Sequence, residues 1–384
     1  MSKKKFETRL IHGDDPSGNP GALPDPTTGV SPPIDLSTTY RRTDPRDDSE
    51  YIYSRTNNPT RQRLEARLCG LEDGYAAVAF ASGSAASMAL FQALPAGSHI
   101  IVTEDAYYGT LLQLNNIVAN LGHHVTAIDT TRIDEVEHAF QDNTSLVWLE
   151  TPSNPQMRVS DIRRIAALTA QRGAKLCCDN TLASCVWQRP LQLGADFCMH
   201  SSTKFFGGHS DVTGGVLIAR EASTLLDQVR YIQQVGGAVP SPFDCWLLLR
   251  SLSTLAVRVR HQTRSAEQIA RHFSNHPHIE QVLYVGLTDH PGHALNQTQM
   301  HAGSALLSLL VKGDASTAIK VAQSTQFFAQ ATSLGGVESL IEHRYSVEGK
   351  TSLCPPNLLR LSVGLEHAND LIEDLEQALA TAHV

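Results

Sequence analysis

The 384-residue chain has no apolar run near the roughly 20 residues that carry a helix across a bilayer, which argues against a membrane protein. It also lacks a basic face. Lys and Arg number 31 against 39 Asp and Glu, for a net charge of −8, and the one basic run, Lys3-Lys4-Lys5, reads as a solvated terminus. Nucleic acid is therefore not an expected partner. Neither CxxC nor HExxH occurs, so no metal site is expected. The seven cysteines are odd in number and several lie inside apolar runs, as reduced thiols do in a cytoplasmic protein. No signal-peptide pattern is seen, and the expected location is the cytoplasm. No internal repeat or low-complexity tract is visible.

What is present is an alternation of short apolar runs with helical patterns, the signature of an open α/β sheet. Expected strands include Ala76–Phe80, Ser98–Val102, Thr126–Ile128, Leu146–Leu149, Ala174–Cys178, Ala195–Met199 and Gly214–Ala219. The pattern PTRQRLEARLCGLEDG predicts a helix opening at Pro59. From Ser241-Pro242 a single long amphipathic helix is expected, with Leu247, Leu248, Leu252, Leu255 and Val259 on one face. The length suggests two domains. The expected division is an arm over residues 1–58 with little periodicity, a large domain over 59–245 and a smaller α+β domain over 246–384 joined by the long helix.

Two strand ends carry the chemistry. The run ending at Cys178 delivers Asp179, and the run ending at Met199 delivers His200-Ser201-Ser202-Thr203-Lys204. Open α/β sheets bind ligands at the C-terminal ends of their strands. A lysine and a carboxylate brought together there suit pyridoxal phosphate. The lysine forms a Schiff base, and the acid keeps the ring nitrogen protonated. Ser201 and Thr203 offer hydroxyls to the phosphate. Taken alone, such a pair is more often a helix cap and a solvated lysine. Likewise Ser82-Gly83-Ser84, after Ala76–Phe80, is either an anion-binding turn at a helix N-terminus or simple close packing.

The combination of DNT, QRPLxLGAD, HSxTK and GHSD over 179–211, with YSRxxNPT over 53–60 and LLRLSVG over 358–364, resembles the transsulfuration, or Cys/Met metabolism, family of pyridoxal phosphate enzymes. The resemblance runs from Thr8 to about Leu379. It implies the fold-type I architecture, with a mostly parallel seven-stranded sheet flanked by helices and a smaller C-terminal domain. It implies Lys204 as the cofactor lysine and Asp179 as the ring-nitrogen partner. Ser82, Gly83, Ser84, Ser201 and Thr203 would lie around the phosphate, and Asn154 near the cofactor's 3′ oxygen and the substrate carboxylate. Ser333 and Arg360 would contact substrate. Tyr53 and Arg55 would reach the cofactor phosphate of a neighbouring subunit in a homo-oligomer, a dimer or tetramer, with shared sites. A tyrosine would stack on the ring, and aligning Asp105 and Thr110 favours Tyr107 over Tyr108.

The implied activity is a carbon–sulfur lyase reaction, β- or γ-elimination on cystathionine or a related thioether amino acid. γ-Replacement on an acylated homoserine, as in a cystathionine γ-synthase, is the alternative. An aminotransferase of the same fold, or a silent descendant, is disfavoured by the complete motif set. In the resembled γ-synthases and γ-lyases a Glu precedes SLGG and an Arg follows the tyrosine by five; here Thr332 and Leu112 stand there. Both departures lean towards a lyase and substrates with apolar tails. The usual MTHA-type loop is also replaced, by Glu342-His343-Arg344-Tyr345-Ser346.

Overall fold

Short runs such as Lys175–Asp179 and Gly215–Ala219 are apolar on both faces because both faces are covered, and they form strands in a helix-flanked sheet. The computed structural model describes residues 5–12, 30–44, 46, 49–349 and 352–383. The large sheet holds β1 (Ala76–Phe80), β2 (His99–Thr103), β3 (His124–Ile128), β4 (Thr144–Glu150), β5 (Lys175–Asp179), β6 (Phe197–His200) and β7 (Gly215–Ala219). Their order is β1-β7-β6-β5-β4-β2-β3. Strands β2 to β6 are parallel to one another, and β7 runs antiparallel between β1 and β6. The parallel strands therefore end at one rim, where β5 delivers Asp179 and β6 leads to Lys204.

The second sheet holds β8 (Ile279–Leu283), β9 (Leu306–Val311), β10 (Ala329–Gln330), β11 (Leu340–His343) and β12 (Leu358–Ser362), in the order β10-β11-β12-β9-β8. In β12 the side chains alternate. Leu359 and Leu361 join a core with the helices Ala315–Ser324 and Ala368–Ala382. Arg360 faces the other way, in register with Glu342 of β11 and Ser308 of β9. Ser308 Oγ donates to the Pro155 carbonyl at 2.8 Å, so this polar face meets the β4 end of the large sheet.

One expectation needs correction. The single long helix is two helices, Pro242–Leu252 and Leu255–Phe273. At the break Thr254 Oγ1 and the Arg258 guanidinium donate to the Ser251 carbonyl at 3.2 and 3.0 Å, so the chain bends without losing that acceptor. Arg258 also donates to the Phe205 carbonyl at 2.9 Å, tying the break to the segment after Lys204. The arm, which shows little periodicity in sequence, holds one short helix. Phe6–His12 is a helix whose Leu10 is buried in the core and whose Arg9 pairs with Asp73 at 2.6 Å. Residues 13–29, part of the expected arm, lie outside the described residues.

Candidate active site

Lys204 leaves β6 in a tight turn. Its N–H donates to the Ser201 carbonyl at 3.1 Å, and its own carbonyl accepts from Gly208 at 2.7 Å. Lys204 Nζ points across the rim to Ser333 Oγ, 2.8 Å away. Burial and then the Arg360 cation lower its pKa to about 8, with Glu342 opposing. An amine at that value has a substantial neutral fraction near physiological pH, as a nucleophile or base requires.

Asp179 closes β5, with Glu150 beside it in register on β4. Asp179 Oδ1 accepts from Thr181 N at 3.0 Å and from Thr181 Oγ1 at 2.6 Å. Burial raises the Asp179 pKa and the Thr181 bonds oppose it. The Thr181 hydroxyl also accepts from Ser201 N at 2.8 Å. One side chain thus joins the acid to the turn that carries the lysine. Glu150, pushed well up by burial and by Asp179, accepts from Tyr107 N at 2.6 Å.

At the other end of the cradle Ser82 caps the helix Gly83–Ala93, its side chain accepting from Ala85 N at 3.1 Å. A Cβ on Gly83 would lie 2.9 Å from Ser201 Cβ, so glycine lets the helix N-terminus close onto Ser201. Free N–H groups and the helix dipole meet a hydroxyl there, which suits a phosphate. Ser84 is exposed beside it. The Thr203 hydroxyl donates to the Gly214 carbonyl at 3.2 Å and accepts from Gly214 N at 2.9 Å, holding the turn shut.

Tyr107 is 45% exposed at the rim. A Cβ on Gly109 would come within 2.4 Å of its ring, so the glycine makes room for this rotamer. Tyr108 instead lines a cavity beside Asn154. Asn154 Oδ1 accepts from Arg360 at 3.2 Å, and the Ser333 carbonyl accepts from Arg360 at 2.8 Å. Ser333 holds φ +99°, a region costly for a residue with a Cβ, and touches both Lys204 and Arg360. Burial lowers the Arg360 pKa to about 10.

Behind Arg360 lies an ion chain that sequence reasoning did not assign. Glu342 bonds Arg360 NH2. Arg344 reaches Glu342 at 3.1 Å and, through Nε, Glu348 at 2.9 Å. All four side chains are buried. The pairing of β11 with β12 brings Glu342 to Arg360, and the short helix Arg344–Glu348 brings the rest. Thr181 and Glu150 were also passed over, although each lies inside a motif or beside one.

Tyr53 and Arg55 do not join this group within the chain. Arg61 donates to the Ser54 and Thr56 carbonyls at 2.9 Å and fixes their turn, and Arg55 leans on the Gln234 carbonyl. Neither residue hydrogen-bonds to Lys204, Asp179, Ser201 or Thr203. The described residues hold one compact His/Cys/Glu group, Glu72–Cys198–His200, fully buried under the rim, with the His200 imidazole on Glu72.

A partly neutral amine, an acid with its Oδ2 unengaged and a helix N-terminus closing on a serine are the three parts that pyridoxal phosphate needs, and the residues fit that cofactor. The family model described as Cys/Met metabolism PLP-dependent enzyme matches residues 17–380. Cystathionine gamma-synthase of Mycobacterium tuberculosis is 40% identical over 97% of this chain and 96% of its own. Cystathionine beta-lyase of Coxiella burnetii is 38% identical over 98% of each chain. The crystal structure of cystathionine gamma-lyase from Lactobacillus plantarum complexed with L-serine superposes with a TM-score of 0.92 at 36% identity, over 99% of this chain and 100% of that one. With the lysine, the acid and the phosphate cradle at one sheet rim, the chain belongs to the Cys/Met metabolism family of pyridoxal phosphate-dependent enzymes.

Proposed function

We propose that the protein is a carbon–sulfur lyase of sulfur amino acid metabolism, acting by β- or γ-elimination on cystathionine or a related thioether amino acid. The observation that carries this is the tail side of the site. Leu112 and Thr332, both exposed, stand where the resembled γ-synthases and γ-lyases carry an Arg and a Glu, and put no charge there for a zwitterionic substrate end.

Arg360 and Asn154 take the substrate α-carboxylate, Arg360 with the planar fork that matches two oxygens. When bound, pyridoxal phosphate supplies an electron sink for the α-carbon. Asp179 holds a proton at the ring nitrogen, and Thr181 keeps that carboxylate aimed. Ser82, Gly83, Ser84 and Ser201 hold the phosphate, and the Thr203 hydroxyl keeps the turn in place. Lys204, steered by Ser333, removes the α-proton within reach of its amine. Tyr107, fixed at its backbone by Glu150, gives a proton to the departing sulfur.

Tyr53 and Arg55 complete the phosphate site of a neighbouring subunit in a cytoplasmic homo-oligomer. The support is their exposed turn, which within one chain makes no hydrogen bond to Lys204, Asp179, Ser201 or Thr203. Mixing Arg55→Ala with Lys204→Ala subunits should restore activity in hybrid sites, and full activity of an isolated monomer would exclude sharing.

The deciding assay is a panel of cystathionine, methionine, cysteine and acylated homoserines. Pyruvate or 2-oxobutyrate from a thioether is the expected product. The second reading, γ-replacement, draws on the 40% identity to a γ-synthase. It takes over if a new thioether forms from an acylated homoserine and cysteine faster than any elimination.

A further inference from the structure

Asn154, which accepts from Arg360, also lines a cavity of about 260 Å3 that Lys204 does not line. Leu111, Leu112 and Leu353, the last from the loop that follows Glu348, are among its apolar lining. Its charged lining is acidic, Glu104, Asp105 and Glu348, among neutral amides and hydroxyls such as Asn115, Gln156 and Ser352. Among the described residues no Lys or Arg lines it.

The cations that serve these acids stand behind them and are shared. Arg158 lies 2.8 Å from Glu104, 3.6 Å from Asp105 and 3.7 Å from Asp129. Arg344 divides itself between Glu342 and Glu348, and Glu342 is also the partner of Arg360. Five carboxylates thus meet three guanidiniums, and a substrate carboxylate on Arg360 would add a sixth negative group. A further anion entering this cavity would find acids first and no cation to pair with, whereas a neutral or cationic group would not be penalised.

We propose that this cavity receives the substituent on the substrate sulfur and sorts it by charge, admitting uncharged or ammonium-bearing tails, the zwitterionic end of cystathionine included, and refusing tails whose only charge is a carboxylate, with Glu348 as the residue that sets the preference. This rests on the reading of the protein as an enzyme of thioether amino acids, and goes beyond it by naming the tail. Glu348 is placed for the task. Its Oε1 is held by Arg344 and its Oε2 by Ser352 Oγ, so the carboxylate keeps one position at the cavity wall. Leu111, Leu112 and Leu353 supply apolar contact along the way in.

The test is a matched series of L-cysteines and L-homocysteines bearing S-ethyl, S-(2-aminoethyl) or S-carboxymethyl groups. Elimination releases pyruvate or 2-oxobutyrate, ammonia and the corresponding thiol, and kcat/KM is read for each. The aminoethyl and ethyl compounds should exceed the carboxymethyl compound by about tenfold to a hundredfold. A carboxymethyl substrate equal to or better than its aminoethyl partner overturns the proposal. The same compounds are titrated against the holoenzyme, following the cofactor absorbance for dissociation constants. If none is turned over, the lyase reading fails, and the order of those constants still decides the charge preference. Glu348→Gln, checked for a native melting profile, should bring the aminoethyl to carboxymethyl ratio towards one, and an unchanged ratio removes Glu348 from the role. If that variant does not fold, the wild-type series alone decides.

Discussion

The cofactor half of the site and the substrate half are built on different physics. Asp179, Thr181, Ser201 and Lys204 sit within 26 residues on two adjacent strand ends, joined by short local hydrogen bonds rather than ion pairs. Arg360 is held from the opposite sheet by a buried chain of alternating charges, Glu342, Arg344 and Glu348, with Asn154 and Ser333 reaching in from elsewhere. Local hydrogen bonds place groups with little demand on stability. Buried ion pairs place groups rigidly, but each charge depends on its neighbour. The first half should therefore respond to mutation mainly in chemistry and the second in both chemistry and folding.

The largest expected effect is on the cofactor side. Lys204→Ala should lower α-proton exchange, followed by NMR in deuterated buffer, by about a thousandfold or more. The fold should remain, because the amine's one hydrogen bond is to Ser333. A variant that exchanges the proton normally would remove Lys204 from the reaction.

Next is the substrate side. Arg344→Met leaves Glu342 and Glu348 buried without their shared cation, which should cost about 3–5 kcal/mol in a urea unfolding experiment on the holoenzyme. Ser201→Ala on the cofactor side should cost less than about 1 kcal/mol. Equal losses would erase the contrast between the halves.

A pH experiment links them. The Lys204 amine titrates near 8 because it is buried and close to Arg360. Below that value it is protonated and cannot attack the aldehyde of added pyridoxal phosphate. Cofactor uptake by the apoenzyme, followed by absorbance, should rise about tenfold per pH unit up to the pKa and then level. Arg360→Met removes one cause of the shift and should move the midpoint upward. Uptake still rising at pH 10 in the wild type would show an unperturbed lysine.

The smallest effect belongs to Thr181→Val. It removes the hydroxyl that donates to Asp179 and accepts from Ser201, a net loss of about 1 kcal/mol. The cofactor dissociation constant should rise about fivefold. No change would mean that Asp179 needs no such aim.

Much of the cofactor half was legible because its residues are neighbours in the chain. Short apolar runs marked β5 and β6, and the polar residues at their ends declared themselves as a lysine, an acid and hydroxyls. Thr181 was overlooked inside the DNT motif, because its role appears only when the turn folds the hydroxyl back onto Asp179. The break at Ser253–Thr254 was hidden for a similar reason. The leucine spacing continues through it, and the bend is sustained by Arg258, whose contact with Phe205 is tertiary. Phe6–His12 is too short to declare a period and is held by packing against the helix Pro59–Leu71.

By itself the sequence determined the class of fold and the cofactor, and it marked the strand ends where Asp179 and Lys204 stand. Strand burial and strand-end chemistry are written in runs of a few residues. Only the tertiary structure decided how Arg360 is held, that Thr203 braces its turn, and that the cavity beside Asn154 is acidic. Those depend on the register of β11 against β12 and on which cation is shared among which carboxylates. Charge pairing over long sequence separations leaves no periodic trace in the chain, because any buried carboxylate can be matched by any arginine that the fold brings within reach.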